Sequence, residues 1–279
     1  MLYENSYKQK SHFSFGENWS NFLKKISQKR ITDAKRSLVD FLGDKNILKN
    51  KTFIDIGCGS GLFSYAAYNL GAKKVVSTDI DRHSIRCANY LKKQAGNPSN
   101  WQILTGSILD DKFVGKLGMF DVVYSWGVLH HTGDMYSAFN NIIKLCAPKQ
   151  FIYLAIYNNN CGKNAIFSGS SKFWFKLKKV YNNTSTFGKK VIEILYLAYF
   201  FVGYIVTFRS PLKYIKQYND KSVRGMDFMT DIRDWLGGYP YEYVHADELV
   251  NYFSRLGFMT KKLKISDNLG CHELLMQKE

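Results

Sequence analysis

The chain is predicted to be an α/β protein whose parallel sheet is covered on both faces. Two observations carry that prediction. From Lys51 to about Tyr157, short apolar runs alternate with helical patterns, and continuous apolar strands separated by helices belong to sheets buried on both sides. The first run, within FIDIGCGSGLFS (53–64), also breaks into alternating glycines before it turns helical.

Taken in order, residues 15–42 read as one or two helices, with Phe22, Leu23, Ile26, Ile31, Ala34, Leu38 and Phe41 as apolar positions. They make 1–50 an N-terminal helical cap. FIDIG (53–57), VVSTD (75–79), WQIL (101–104), FDVVYS (120–125) and FIYLAIY (151–157) read as buried strands, each bounded by Gly, Asp, Ser or Pro. Helical spacing appears at Leu62, Phe63, Ala66, Ala67 and Leu70 before Gly71, and at Ile85, Ala88 and Leu91. It recurs from Met135 to Cys146 before Pro148. At the far end, DELVNYFSRLGF (247–258) is an amphipathic helix closed by Gly257. MTKKLKI (259–265) and ELLM (273–276) then form a hairpin across SDNLG. The core is therefore 51–157 plus 242–279, and 158–241 is an insertion.

Composition narrows the setting. Five cysteines at unrelated spacings, with no CxxC pair, argue against a disulfide framework and a zinc site and for a reducing compartment. MLYENSYKQKSHFSF has no apolar stretch of the secretory kind, so the expected location is the cytoplasm. The net charge is +16, and half of that excess falls in 158–241, with 13 basic residues against 5 acidic. A concentrated surplus suggests attraction to something anionic near that segment.

Three readings compete for Gly57, Gly59 and Gly61. The first is a tight turn with no ligand. The second is a dinucleotide fingerprint, which needs a third glycine where Leu62 stands. The third is S-adenosylmethionine, which carries an ammonium, a sulfonium and a ribose diol but no phosphate. An anion beside the turn suits it, whereas a pyrophosphate would want amide N–H groups and no carboxylate. Asp55 is placed to meet the ammonium, directly or through water. Asp79, 18 residues beyond Gly61, is placed to meet the ribose hydroxyls, and its alternative role is a helix N-cap. Ile80 could lie against adenine, Ser107 and Ile108 at its edge and face, and Ser125 and Trp126 at the lip, because open α/β sheets bind ligands beyond their strand ends.

DIGCGSG, STDID, GSILDD and FDVVYSWGVLHH together resemble the class I S-adenosylmethionine-dependent methyltransferases, over about 40% of the chain. WGVLHHTGD and GCHELLM look like bacterial small-molecule O-methyltransferases related to ubiquinone-pathway and polysaccharide-modifying enzymes. Many family members have Asp where Ser107 stands. The resemblance implies a Rossmann-like fold of seven strands, the last antiparallel, with N-terminal helices and a helical lid. It also implies S-adenosyl-L-methionine as cofactor, S-adenosyl-L-homocysteine as product and no metal. Aromatic openings of this kind fold over the cofactor, so Trp19 is a candidate contact, or else it packs on the sheet edge.

Methyl transfer to a hydroxyl benefits from a base. His130 and His131 follow the fourth strand; either is a candidate, with His130 slightly ahead, and one of the pair could be structural. In the insertion, Arg224 or Arg233 could fork an anionic acceptor and Tyr239 could stack on a sugar; the alternative is an internal salt-bridge network. VIEILYLAYFFVGYIVTF (191–208) is apolar and flanked by lysine and arginine. Its uncharged stretch is short for a membrane span. It reads as a lid or homodimer helix, or as a helix on the inner membrane surface. The acceptor expected is a small molecule, a sugar or surface-polysaccharide precursor or a quinone-like phenol. An RNA methyltransferase is the alternative, disfavoured because no recognisable RNA-binding module is present. A cofactor-binding protein without activity is the third.

Overall fold

The computed structural model describes residues 28–44, 46–161, 169–221 and 228–279. Among these, the elements run in the order α1 (Gln28–Leu42), β1 (Thr52–Ile56), α2 (Leu62–Asn69), β2 (Lys74–Asp79), α3 (Arg82–Gln94) and β3 (Trp101–Thr105). Next come α4 (Asp111–Leu117), β4 (Phe120–Trp126), a 3-10 turn at Leu129–His131, α5 (Met135–Leu145) and β5 (Cys146–Tyr157). The insertion supplies α6 (Ser171–Asn183), α7 (Thr186–Val206), α8 (Pro211–Lys221) and α9 (Phe228–Gly237). The chain closes with α10 (Ala246–Ser254), β6 (Phe258–Lys264) and β7 (Cys271–Lys278).

All seven predicted strands are present in one sheet of order β3-β2-β1-β4-β5-β7-β6. β1 to β5 pair in parallel, and β7 enters antiparallel to both β5 and β6. This is the Rossmann-like arrangement that the resemblance implied. Two details differ. α4 follows GSILDD, where only a strand end was expected; Asp110 caps it by accepting from the N–H groups of Lys112 and Phe113, which offsets its short length and Gly115. β5 begins at Cys146, so Pro148 lies within an extended segment and not just past a helix end.

Alternation along the strands assigns the faces. Phe53, Val75, Trp101, Val122, Tyr124 and Tyr153 pack beneath α1 and α2. Ile54, Ile56, Val123, Ile152 and Leu154 pack on the opposite side against α5 and α10. The insertion has a third core of its own, built on Trp174, Tyr181, Phe228, Ile232, Leu236 and Tyr241. Its two ends are adjacent: Asn158 bridges Val244, and the Val244 N–H donates to the Tyr157 carbonyl at 3.0 Å.

Candidate active site

A cavity of about 870 Å3 opens beyond the carboxyl ends of β1, β2 and β4, the position where open α/β sheets take ligands. Gly57, Gly59, Asp79, Ile80, Ser107, Ile108 and Trp126 line one end. His131, Tyr157, Tyr196, Phe200, Tyr214, Tyr218, Phe228, Asp231, Trp235 and Tyr239 line the other.

The glycine turn is pinned to β2: the N–H groups of Gly57 and Cys58 both donate to the Thr78 carbonyl, at 2.8 and 2.9 Å. Gly57 (φ +71°) has no room for a side chain, because a Cβ there would come within 2.3 Å of Val128 Cγ1. Asp79 holds the next part of the loop. One of its carboxylate oxygens accepts from the Gly59 N–H at 2.9 Å and the other from the Asp81 N–H at 2.8 Å. Burial pushes its carboxyl up to about 6, against the pull of those hydrogen bonds. The Ile80 N–H also contributes to this carboxylate, and the acceptor capacity that remains is available to a hydroxyl donor. The N-cap of α3 is Asp81, which separates the capping role from Asp79.

Five expected contacts lie elsewhere. Asp55 does not line the cavity. It shares the face of Phe53, so its carboxylate points under α2 and accepts from Ser64 Oγ at 2.6 Å. Ser77 donates to Ser64, and the Trp101 indole donates to Ser77. Burial raises Asp55 to about 7, so this acid fixes the start of α2. Gly61 is also turned away: a Cβ there would meet the Ala88 backbone at 2.9 Å, so it lets α2 begin close against α3. Ser125 is fully buried and donates to the Ile56 carbonyl. His130 is fully buried behind the cavity, where its Nδ1 accepts from the Tyr157 N–H at 3.3 Å. Arg233 is not among the lining residues; it pairs with Glu193 of α7 at 3.5 Å, the internal salt bridge that was its alternative. Trp19 and Arg224 lie outside the described residues.

The histidine at the cavity is His131. Its Nδ1 lies 2.6 Å from the Pro240 carbonyl. A carbonyl only accepts, so Nδ1 carries the hydrogen and Nε2 is the basic nitrogen of a neutral ring. Burial, assisted by the charge of Lys178, pulls this imidazole down to about 3. Lys178 is fully buried; its ammonium donates to the Trp235 carbonyl and lies over the rings of Trp235, Tyr241 and Tyr157 at 4.0, 4.9 and 5.9 Å. Sequence reasoning missed this lysine and the aromatic wall. Helical spacing at Tyr196, Phe200, Tyr214 and Tyr218 was the available signal, but spacing alone does not say what a helix face meets. Among the described residues, no group of three or more His, Cys, Asp or Glu is placed to hold a metal ion.

A family model described as a methyltransferase domain matches residues 54–149. The tRNA U34 carboxymethyltransferase of Shewanella loihica is 37% identical over 84 residues, 30% of this chain and 24% of that protein. The ubiquinone biosynthesis O-methyltransferase of Pseudomonas paraeruginosa is 26% identical over 132 residues, covering 47% and 55%. The chain thus spans about half the length, or less, of these curated relatives. Among solved structures, magnesium protoporphyrin IX methyltransferase from Synechocystis PCC 6803, with bound SAH, superposes over 94% of both chains. Its TM-score is 0.52 at 14% identity, which bears on the fold alone. Residues 54–149, which supply the strand ends that build the cavity, are thus similar to methyltransferase domains, and the sheet around them has the fold of solved S-adenosylmethionine-dependent methyltransferases.

Proposed function

We propose that the protein is an S-adenosylmethionine-dependent enzyme that O-methylates a small phenolic acceptor of the quinone-like kind. One observation carries the reading: a single cavity joins the glycine turn and Asp79 to an aromatic chamber, with His131 at the chamber side.

The cofactor end fits its ligand by chemistry. Gly59 offers a wall without a side chain, Asp79 offers acceptors for ribose hydroxyls, and Ile80 and Ile108 offer apolar contact for a purine. When bound, the cofactor supplies an electrophilic methyl group on a sulfonium. The chain's part is to place the acceptor oxygen and handle its proton. His131 Nε2 is a weakly basic acceptor, held in one tautomer by Pro240. It orients a hydroxyl and receives a hydrogen bond, which is enough for a phenol, since phenols ionise more readily than sugar hydroxyls. The chamber favours the same class. Its described lining at that end is aromatic, with Asp231 and Asp234 and no lysine or arginine, so it suits a ring better than a phosphate or carboxylate.

Incubation with labelled cofactor and separate pools of phenolic quinone precursors, nucleotide sugars and RNA tests this. Label is expected in the phenolic pool. Label in nucleotide sugars or RNA alone would overturn the acceptor class, and absence of cofactor binding by calorimetry would overturn the activity itself.

A further inference from the structure

From Ile194 to Val206 α7 is apolar on every side, yet the fold covers only one. Ile192, Tyr196, Leu197 and Phe200 pack inward on the insertion's core, and Glu193 turns inward to Tyr181 and Arg233. On the other face Ile194, Leu195, Val202 and Ile205 are each 58–63% exposed. They follow helical spacing, and the ridge continues through Phe208 into Leu212 of α8. A helix apolar all round is normally buried, and a contiguous exposed apolar surface of this kind marks an interaction site.

The surroundings select what covers it. Between residues 171 and 218 the sequence has nine lysines and arginines and a single acid, Glu193, which faces inward. Lys190, one turn before Ile194, and Arg209, Lys213 and Lys216, next to Phe208 and Leu212 along the chain, are exposed. An apolar ridge rimmed by cations fits an anionic lipid surface, where the ridge enters the acyl boundary and the rim meets headgroups. A second copy fits poorly, because a two-fold contact sets the same cationic rim against itself. No single helix among the described residues is long and apolar enough to cross a membrane. α7 and the first part of α8 pass that test only as a pair bent by 114°.

We infer that the outer face of α7 and α8 docks the protein on an anionic bilayer, and that the acceptor is an amphipathic molecule drawn from it. The second half of the inference rests on the methyltransferase reading. Tyr196, Phe200, Tyr214 and Tyr218, on the inner faces of the same two helices, line the aromatic chamber, so the docked helices separate bilayer from site by one helix thickness.

The test is cosedimentation of the full chain with phosphatidylglycerol–phosphatidylcholine vesicles and with pure phosphatidylcholine vesicles. Binding to the anionic vesicles is expected, weakened roughly tenfold or more by the combined Ile194→Glu, Val202→Glu and Ile205→Glu changes. Lys190→Gln with Lys213→Gln and Lys216→Gln should lower binding to anionic vesicles and flatten its dependence on salt; unchanged binding would overturn the cationic rim. Calorimetric cofactor binding, unchanged in both variants, shows that they fold and reports on the methyltransferase reading separately. Failure of the native chain to bind anionic vesicles, or equal binding by the triple glutamate variant, would overturn the docking face. A dimer in sedimentation that the glutamates dissociate, without vesicle binding, would assign the face to a second copy and overturn it too.

Discussion

Lys178→Met should remove a specific pH dependence from the protein's stability. The ammonium is enclosed by Tyr157, Trp235 and Tyr241, and burial pulls Lys178 from 10.5 down to about 7, with the charge of Asp234 opposing. Below pH 7 the folded and unfolded chains both carry this proton, and the folded state bears the full cost of burying it. Between pH 7 and 9 the folded chain sheds the proton while the unfolded chain keeps it, so stability rises with pH. Over those two units the gain from this one group is about 2 kcal/mol. Methionine has a similar length and cannot titrate. The advantage of the variant over the native chain should therefore shrink by about 2 kcal/mol between pH 7 and pH 9. Urea unfolding of both proteins at both pH values measures the double difference, in which other titrating groups cancel. Parallel pH profiles would refute the reasoning and place the Lys178 titration outside this window.

Three other outcomes are expected. Gly57→Ala combines φ +71° with a Cβ 2.3 Å from Val128, so it should destabilise by about 1–3 kcal/mol, and Val128→Ala should recover part of that loss in thermal melts. Cofactor affinity should rise as pH climbs through about 6, where Asp79 ionises, because a cationic ligand favours the carboxylate; calorimetry on Asp79→Asn should give weaker and nearly pH-independent binding. His131→Ala should lower turnover at least tenfold with cofactor affinity retained, whereas His130→Ala should act through stability; equal turnover losses with equal stability would reverse the two roles.

The fold was legible because periodicity reports it directly: each of the five parallel strands carries a short apolar run, and the glycine turn marks where the first one ends. That Gly57, Gly59, Asp79, Ile80, Ser107, Ile108 and Trp126 share one cavity was legible for a related reason, since motif residues at strand ends have few places to go. Asp55 shows the limit. Its type and position suggested a ligand contact, but strand parity puts it on the face of Phe53, beneath α2 and away from the cavity. That parity was available from FIDI. For the two histidines no such rule exists, because the 3-10 turn at 129–131 decides which ring faces the cavity, and a three-residue turn leaves no periodic trace. The chamber wall was unreadable for a third reason. Its aromatic residues come from α7, α8 and α9, which meet only after the insertion has folded on a core of its own.

Because the polypeptide departs at Asn158 and returns at Val244 as neighbours, the intervening stretch can vary as a cassette: the entropy of closing it grows only slowly with its length. Pro240 lies inside that cassette, and its carbonyl dictates which nitrogen of His131 is basic. On the proposed function, exchanging one cassette for another would therefore replace the acceptor chamber and reset the proton-handling group in the same event, while the donor half stayed as it is.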